Sequence, residues 1–132
     1  MRKIEHLGIA VKSIEKSDDI LSKLLGSEAY KKEAVDSENV ITSFFMLGET
    51  KVELLEATSD DSAIAKFIEK RGEGIHHIAL DVVGIEDELE RLKSLGFQLI
   101  HEKPKAGADG KKIAFLHPKS TNGILVELCE DV

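Results

Sequence analysis

With 132 residues, of which 42% are apolar and 33% charged, the chain has the size and balance of one folded domain and is neither a disordered tail nor a pair of independent domains. Its formal net charge of −7 weighs against nucleic acid and against an anionic membrane as partners, since both are held by clustered Lys and Arg. An acidic substrate would need a local basic patch.

In chain order, the β-branched and apolar residues 3 to 11 read as a first strand. Ser13 then stands where a helix cap belongs, Ile14, Leu21, Leu24 and Leu25 form an apolar stripe behind it, and Gly26 is placed to end the helix. Strands are expected around 28 to 34, 40 to 47 and 50 to 56, with Gly48-Glu49-Thr50 as a short hairpin connection. Ile64, Phe67 and Ile68 recur at helical spacing, so residues 60 to 70 read as a helical linker. A strand over 75 to 83, a helix carrying Ile85, Leu89 and Leu92 and closed at Gly96, and strands at 97 to 102, 112 to 116 and 123 to 129 complete the chain. Gly107-Ala108-Asp109-Gly110 and Pro118 mark loops.

The second half repeats the first. Ile4-Glu5-His6-Leu7-Gly8-Ile9-Ala10-Val11 aligns with Ile75-His76-His77-Ile78-Ala79-Leu80-Asp81-Val82 at a spacing of 71 residues. Val52-Glu53-Leu54-Leu55-Glu56 likewise aligns with Val126-Glu127-Leu128-Cys129-Glu130. A repeat this long is no solenoid unit but a duplicated half-domain. The expected fold is α+β, a single domain of two βαβββ modules: module 1 over residues 1–58, a helical linker over 59–72 and module 2 over 73–132.

Because side chains alternate along a strand, His6 shares a face with Ile4 and Gly8, and His77 with Ile75 and Ala79, while the other face of each strand is apolar. The small residues beside each histidine leave room for a ligand. Glu53 and Glu127 occupy matching places in apolar strands, where a lone carboxylate is costly without a partner. Taken singly, each of the four reads more readily as a hydrogen-bonded core histidine or a half-exposed strand carboxylate. Their joint recurrence in register favours one shared site. If the modules form matching curved sheets about a pseudo-twofold axis, two imidazoles and two carboxylates converge there, a donor set suited to a divalent first-row metal with positions left open. His76 falls on the opposite face and reads as structural or as a support behind the ligands, and His101 and His117 lie in or beside loops. No apolar run approaches bilayer-spanning length, no signal peptide or Arg-rich leader is evident, and the single cysteine, Cys129, excludes a disulfide framework. A cytoplasmic protein with a half-buried strand cysteine is therefore expected.

The stretches Ile4 to Val11, Thr50 to Glu56, Gly72-Glu73-Gly74-Ile75-His76-His77-Ile78-Ala79, Phe115-Leu116-His117-Pro118-Lys119 and Gly123 to Leu128 together resemble the methylmalonyl-CoA epimerase family of the vicinal oxygen chelate, or glyoxalase, superfamily. The linker Asp61-Ser62-Ala63-Ile64-Ala65-Lys66-Phe67 and the His117-Pro118-Lys119 loop are the most specific parts of this likeness, since the His and Glu frame is common to the superfamily. The resemblance implies a glyoxalase-like curved mixed sheet around a metal site. It implies that His6, His77 and Glu127 bind a divalent ion, cobalt foremost, with zinc, manganese or nickel as alternatives. Glu53 stands where some members have a glutamine ligand, which makes it a fourth ligand, a base, or both in turn. Thr42 or Ser43 stands where some bacterial members have a glutamate base, so this chain must find its bases elsewhere.

The implied reaction is epimerisation of (R)- and (S)-methylmalonyl-CoA: loss of the proton α to the thioester and its return from the opposite face. A thioester α-proton is too weak an acid for an ordinary carboxylate unless the enolate is stabilised, which a Lewis-acidic metal provides. Glu53 and Glu127, at duplicate positions, are the candidate acid/base pair. Lys111, Lys112 and Lys119, with His117, are the candidates for binding the acyl-CoA substrate, although solvated lysines are an equal reading. Closure of both modules within one chain and a homodimer are expected. A glyoxalase I, a ring-cleaving dioxygenase and a non-enzymatic small-molecule-binding protein share the frame and are the competing readings.

Overall fold

The computed structural model describes residues 1–132. Its elements are β1 (Lys3–Ala10), α1 (Ile14–Leu25), β2 (Lys31–Val35), β3 (Val40–Leu47), β4 (Thr50–Ala57), α2 (Ala63–Arg71), β5 (Gly74–Asp81), α3 (Ile85–Ser94), β6 (Lys105–Ala106), β7 (Lys111–Leu116) and β8 (Val126–Asp131). This is βαβββ, helix, βαβββ, an α+β fold as the repeat predicts. No helix is long and apolar enough to cross a membrane.

Two compact units are distinguished, Leu7–His76 and Met1–His6 with His77–Val132, so the division falls inside β1 and β5. The hydrogen-bonded strand order is β2-β3-β4-β1 in the first and β1-β5-β8-β7-β6 in the second. The β5–β8 pair is parallel, whereas β2–β3, β3–β4, β6–β7 and β7–β8 are antiparallel, so the sheet is mixed.

In the Leu7–His76 unit, Ser13 is extended at φ −145° and its hydroxyl accepts from the Lys16 N–H, while Gly26 closes α1 at φ 74°, a left-handed geometry that costs glycine little. Ile14, Leu21 and Leu25 pack with Val11, Phe45, Val52 and Leu54. Leu24 departs from the expected stripe and is 75% exposed. At ~100° per residue, Leu21 and Leu25 fall within about 20° of Ile14 around the helix, whereas Leu24 lies about 80° away. The linker is helical as expected: α2 is capped by the Ser62 hydroxyl, which accepts from the Ala65 N–H, and sets Ile64, Phe67 and Ile68 against Ala10, Val40 and Leu55.

In the other unit, Ile85, Leu89 and Leu92 of α3 pack on Val82, Ala114, Leu116 and Leu128. The strand expected over 97 to 102 is absent. Leu99 forms a single bridge to Leu116, and the N–H groups of Ile100 and His101 both turn to the Phe115 carbonyl, at 2.8 and 3.3 Å. Two donors on one acceptor break the ladder, and Pro104, with no N–H, cannot restart it before the two-residue β6. Gly107 serves this hairpin through its size, because a Cβ there would come within 2.8 Å of the Ile113 side chain.

The two matched glutamate pairs have divided roles. Glu56 of β4 accepts the Ile14 N–H at 2.7 Å, at the start of α1. Glu130 of β8 accepts from both Gly84 and Ile85 at the start of α3, where Gly84 offers no capping side chain of its own. These two backbone bonds hold the Glu130 carboxyl below its ordinary pKa, with Lys112 adding to the effect. An anion at a helix N-terminus satisfies otherwise orphaned N–H groups and complements the helix dipole.

Candidate functional site

Three strands of the second unit bring their marked residues together: His6 from β1, His77 from β5 and Glu127 from β8. The register explains part of this. Ala79 of β5 is paired with Glu127 of the parallel β8, and Phe115 of β7 flanks Glu127 on the other side. All three side chains are buried, at 5%, 6% and 4% exposure. The His6 and His77 Nε2 atoms are 3.0 Å apart, Glu127 Oε1 is 3.3 Å from His77 Nε2, and Glu127 Oε2 is 3.6 Å from His6 Nε2. The imidazoles meet edge to face, and the His77 ring in turn abuts Phe115.

This donor set fits a divalent metal. Nitrogen and oxygen ligands at ~2.0–2.2 Å from one ion lie roughly 3.0–3.5 Å from each other in octahedral or tetrahedral geometry, close to the spacing found. Two neutral imidazoles and one carboxylate would leave an octahedral or tetrahedral ion with open positions. Behind His6, the Glu5 carboxylate accepts a hydrogen bond from Nδ1 at 2.8 Å. With the His6 proton on Nδ1, the short Nε2 to Nε2 contact is a hydrogen bond donated by His77 Nε2–H.

Glu53, the fourth residue of the expected set, is carried by β4 in the Leu7–His76 unit, buried at 4% and in register with Phe44. Thr42 is paired with Leu55 and so lies on the same strand face as Glu53, one diagonal step away. Its hydroxyl is buried and has no partner. Ser43 faces the other way and donates to Asp18 at 2.8 Å, an aspartate that also pairs with Lys32.

The other expected residues are placed as follows. His76 packs edge-on against Phe67, ring centroids 5.1 Å apart, and burial lowers its pKa, with Glu38 opposing; the structural role expected for it agrees. His101, read as a loop residue, accepts the Phe115 N–H on Nδ1 at 3.1 Å and stacks on the Phe115 ring. His117 caps a 3₁₀ turn over Pro118–Ser120 by accepting the Lys119 N–H, and Lys119 itself is exposed. Lys112 stands five residues before His117 along extended chain, roughly 16 Å, and lies between Glu86 and Glu130 at 3.6 and 3.7 Å. Lys111 pairs with Asp131 and lies 4.0 Å from Glu5 Oε2. Cys129 is fully buried rather than half-buried, and burial, then Glu127 and Glu5, push its thiol far up, so it stays protonated. Glu5 and Glu130 were not anticipated as partners. Glu130 had a signal in its match to Glu56, whereas an i, i+1 contact such as Glu5 to His6 runs against strand alternation.

Residues 5–115 match the family model of the glyoxalase/bleomycin resistance protein/dioxygenase superfamily. The chain belongs to this superfamily. The mitochondrial methylmalonyl-CoA epimerase of Dictyostelium discoideum is 39% identical over 97% of this chain and 78% of its own length. The ethylmalonyl-CoA/methylmalonyl-CoA epimerase of Cereibacter sphaeroides is 39% identical over 96% of both chains. A solved methylmalonyl-CoA epimerase in complex with methylmalonyl-CoA and NH4+ superposes with a TM-score of 0.95 at 29% identity, covering 100% of this chain and 96% of the other. The glyoxalase-like fold is thereby established, and the chain is an enzyme of the epimerase type, an isomerase.

Proposed function

We propose that this epimerase interconverts (R)- and (S)-methylmalonyl-CoA with a divalent metal, cobalt foremost, held by His6, His77 and Glu127. The convergence of these three buried side chains, whose nearest donor atoms are 3.0, 3.3 and 3.6 Å apart pair by pair, carries the metal reading, and the epimerase relatives carry the substrate. When bound, the ion supplies Lewis-acid stabilisation of the negative charge that develops on the thioester oxygen as the α-proton leaves. His6 would offer the Nε2 lone pair that now accepts from His77, His77 would offer its own Nε2 once that proton has moved to Nδ1, and Glu127 would supply an anionic oxygen from a carboxylate shielded from water. Glu127 and Glu53 act as the acid/base pair in this reading, one oxygen taking the α-proton from one face and the other carboxyl returning a proton to the opposite face. Glu53, which matches Glu127 in the repeat, would serve as a fourth ligand when it is not engaged with the proton. Thr42, with its unpartnered hydroxyl on the Glu53 face of the sheet, supplies no carboxylate, which leaves Glu53 as the base that β3 and β4 offer.

His117 and the exposed Lys119 bind the acyl-CoA, and Lys112 contributes only by loosening from Glu86 and Glu130. The protein works inside the cell as a homodimer. The deciding experiment is proton exchange at the α-carbon of methylmalonyl-CoA in deuterated water, with metal-stripped protein and after adding back cobalt. Exchange that depends on metal, with loss of stereochemical purity, is the expected result. Metal bound without exchange would refute the substrate assignment.

A further inference from the structure

The two histidines are equivalent in the repeat but not in their surroundings. Glu5 sits at 4% exposure, and a carboxylate this deeply buried is costly unless it is paired. Its Oε1 accepts from His6 Nδ1 at 2.8 Å, while Oε2 lies 4.0 Å from the Nζ of Lys111, a side chain only 12% exposed and anchored to Asp131. The position matching Glu5 in the second module is His76, whose ring packs on Phe67. Duplication kept the histidine and changed the residue before it.

We infer that Glu5, held by Lys111, is a positioning residue that fixes His6 with its proton on Nδ1 and its Nε2 lone pair turned toward His77 and Glu127, so that His6 is the preset ligand of the pair. This rests on the metal reading of His6, His77 and Glu127. A carboxylate on the distal ring nitrogen selects the tautomer, stops ring rotation and raises the basicity of the ligating nitrogen. The order of events follows from the 3.0 Å contact: His77 holds its proton on Nε2 and donates it to His6 in the metal-free protein, so His77 is the residue that must move that proton to Nδ1 when an ion enters. His6 needs no such change.

Nitrogen-15 NMR of histidine-labelled, metal-free protein reads the tautomer directly, and competition with a chelator reads cobalt affinity. Wild type is expected to show His6 as the Nδ1–H form. Glu5→Leu is expected to lose that form and to bind cobalt roughly tenfold to a hundredfold more weakly. Glu5→Gln, whose amide oxygen still accepts from Nδ1, is expected to keep the tautomer and lose less affinity, and it stands in as the test if the leucine variant fails to fold. Lys111→Met is expected to weaken cobalt binding in the same direction while leaving Glu5 in place. An Nε2–H form of His6 in wild type, or unchanged tautomer and affinity in Glu5→Leu, overturns the inference. Failure of the metal reading is a different result, wild type and His6→Ala being alike in taking up no cobalt, and the tautomer comparison still reports on Glu5 in that case.

Discussion

Each module ends in two glutamates, and replacing them one at a time separates the residues that hold the fold from those assigned to chemistry. Glu130 is the test with the clearest magnitude. Its carboxylate takes two N–H groups at the start of α3, from Gly84 and Ile85, and Gly84 has no side chain to replace it. Loss of a side-chain N-cap costs about 0.5–2 kcal/mol, and charge-assisted bonds to backbone lie at the upper end, so Glu130→Ala should destabilise by about 2 kcal/mol. For a domain of this size that is a fall of roughly 6–8 °C in Tm. The ion pair to Lys112 adds little, being partly exposed. Glu56→Ala should cost less, about 1 kcal/mol, because Glu56 accepts one N–H and Ser13 still caps α1. The sign with pH follows from the direction of the shift. The Glu130 pKa is depressed in the folded state, so its contribution is complete above the ordinary carboxylate value and is lost as pH falls through the lower, folded one. Urea unfolding of wild type, Glu130→Ala and Glu56→Ala at pH 7, repeated at acid pH, measures all of this. Equal effects at the two positions, or a Glu130 effect that persists undiminished in acid, would refute the capping argument.

Glu127→Gln and Glu53→Gln should each lower kcat by roughly 10²–10⁴. Undiminished epimerisation with metal retained in both would remove the acid/base assignment. Cys129, fully buried with its thiol pushed far up, should resist a maleimide in the native protein at pH 8 and react promptly once unfolded; rapid native labelling would contradict its burial.

The features legible in the amino-acid sequence are those set by neighbours along the chain. Ser13, Ser62 and Gly26 act on backbone groups within a few residues, so their caps were predictable and are present. The repeat of His6 on His77 and Glu53 on Glu127 survives as a pattern because the strand period of two keeps matched positions on matched faces. That pattern marked four residues, of which His6, His77 and Glu127 meet. Local reading failed where a distant partner decides. Leu24 looked apolar enough for the helix stripe, yet only the direction of α1 against Phe45 and Leu54 settles which side faces inward. Residues 97 to 102 have strand composition, but whether they form a strand depends on how they meet the Phe115 carbonyl. Glu130 reaches α3 from 45 residues away, and Lys111 comes from a hairpin far along the chain to stand near Glu5. Composition and periodicity thus determined the elements, the duplication and the candidate ligands. The tertiary structure alone decided which buried carboxylates have partners, because the cost of burying a charge is offset only by the atoms that folding places beside it.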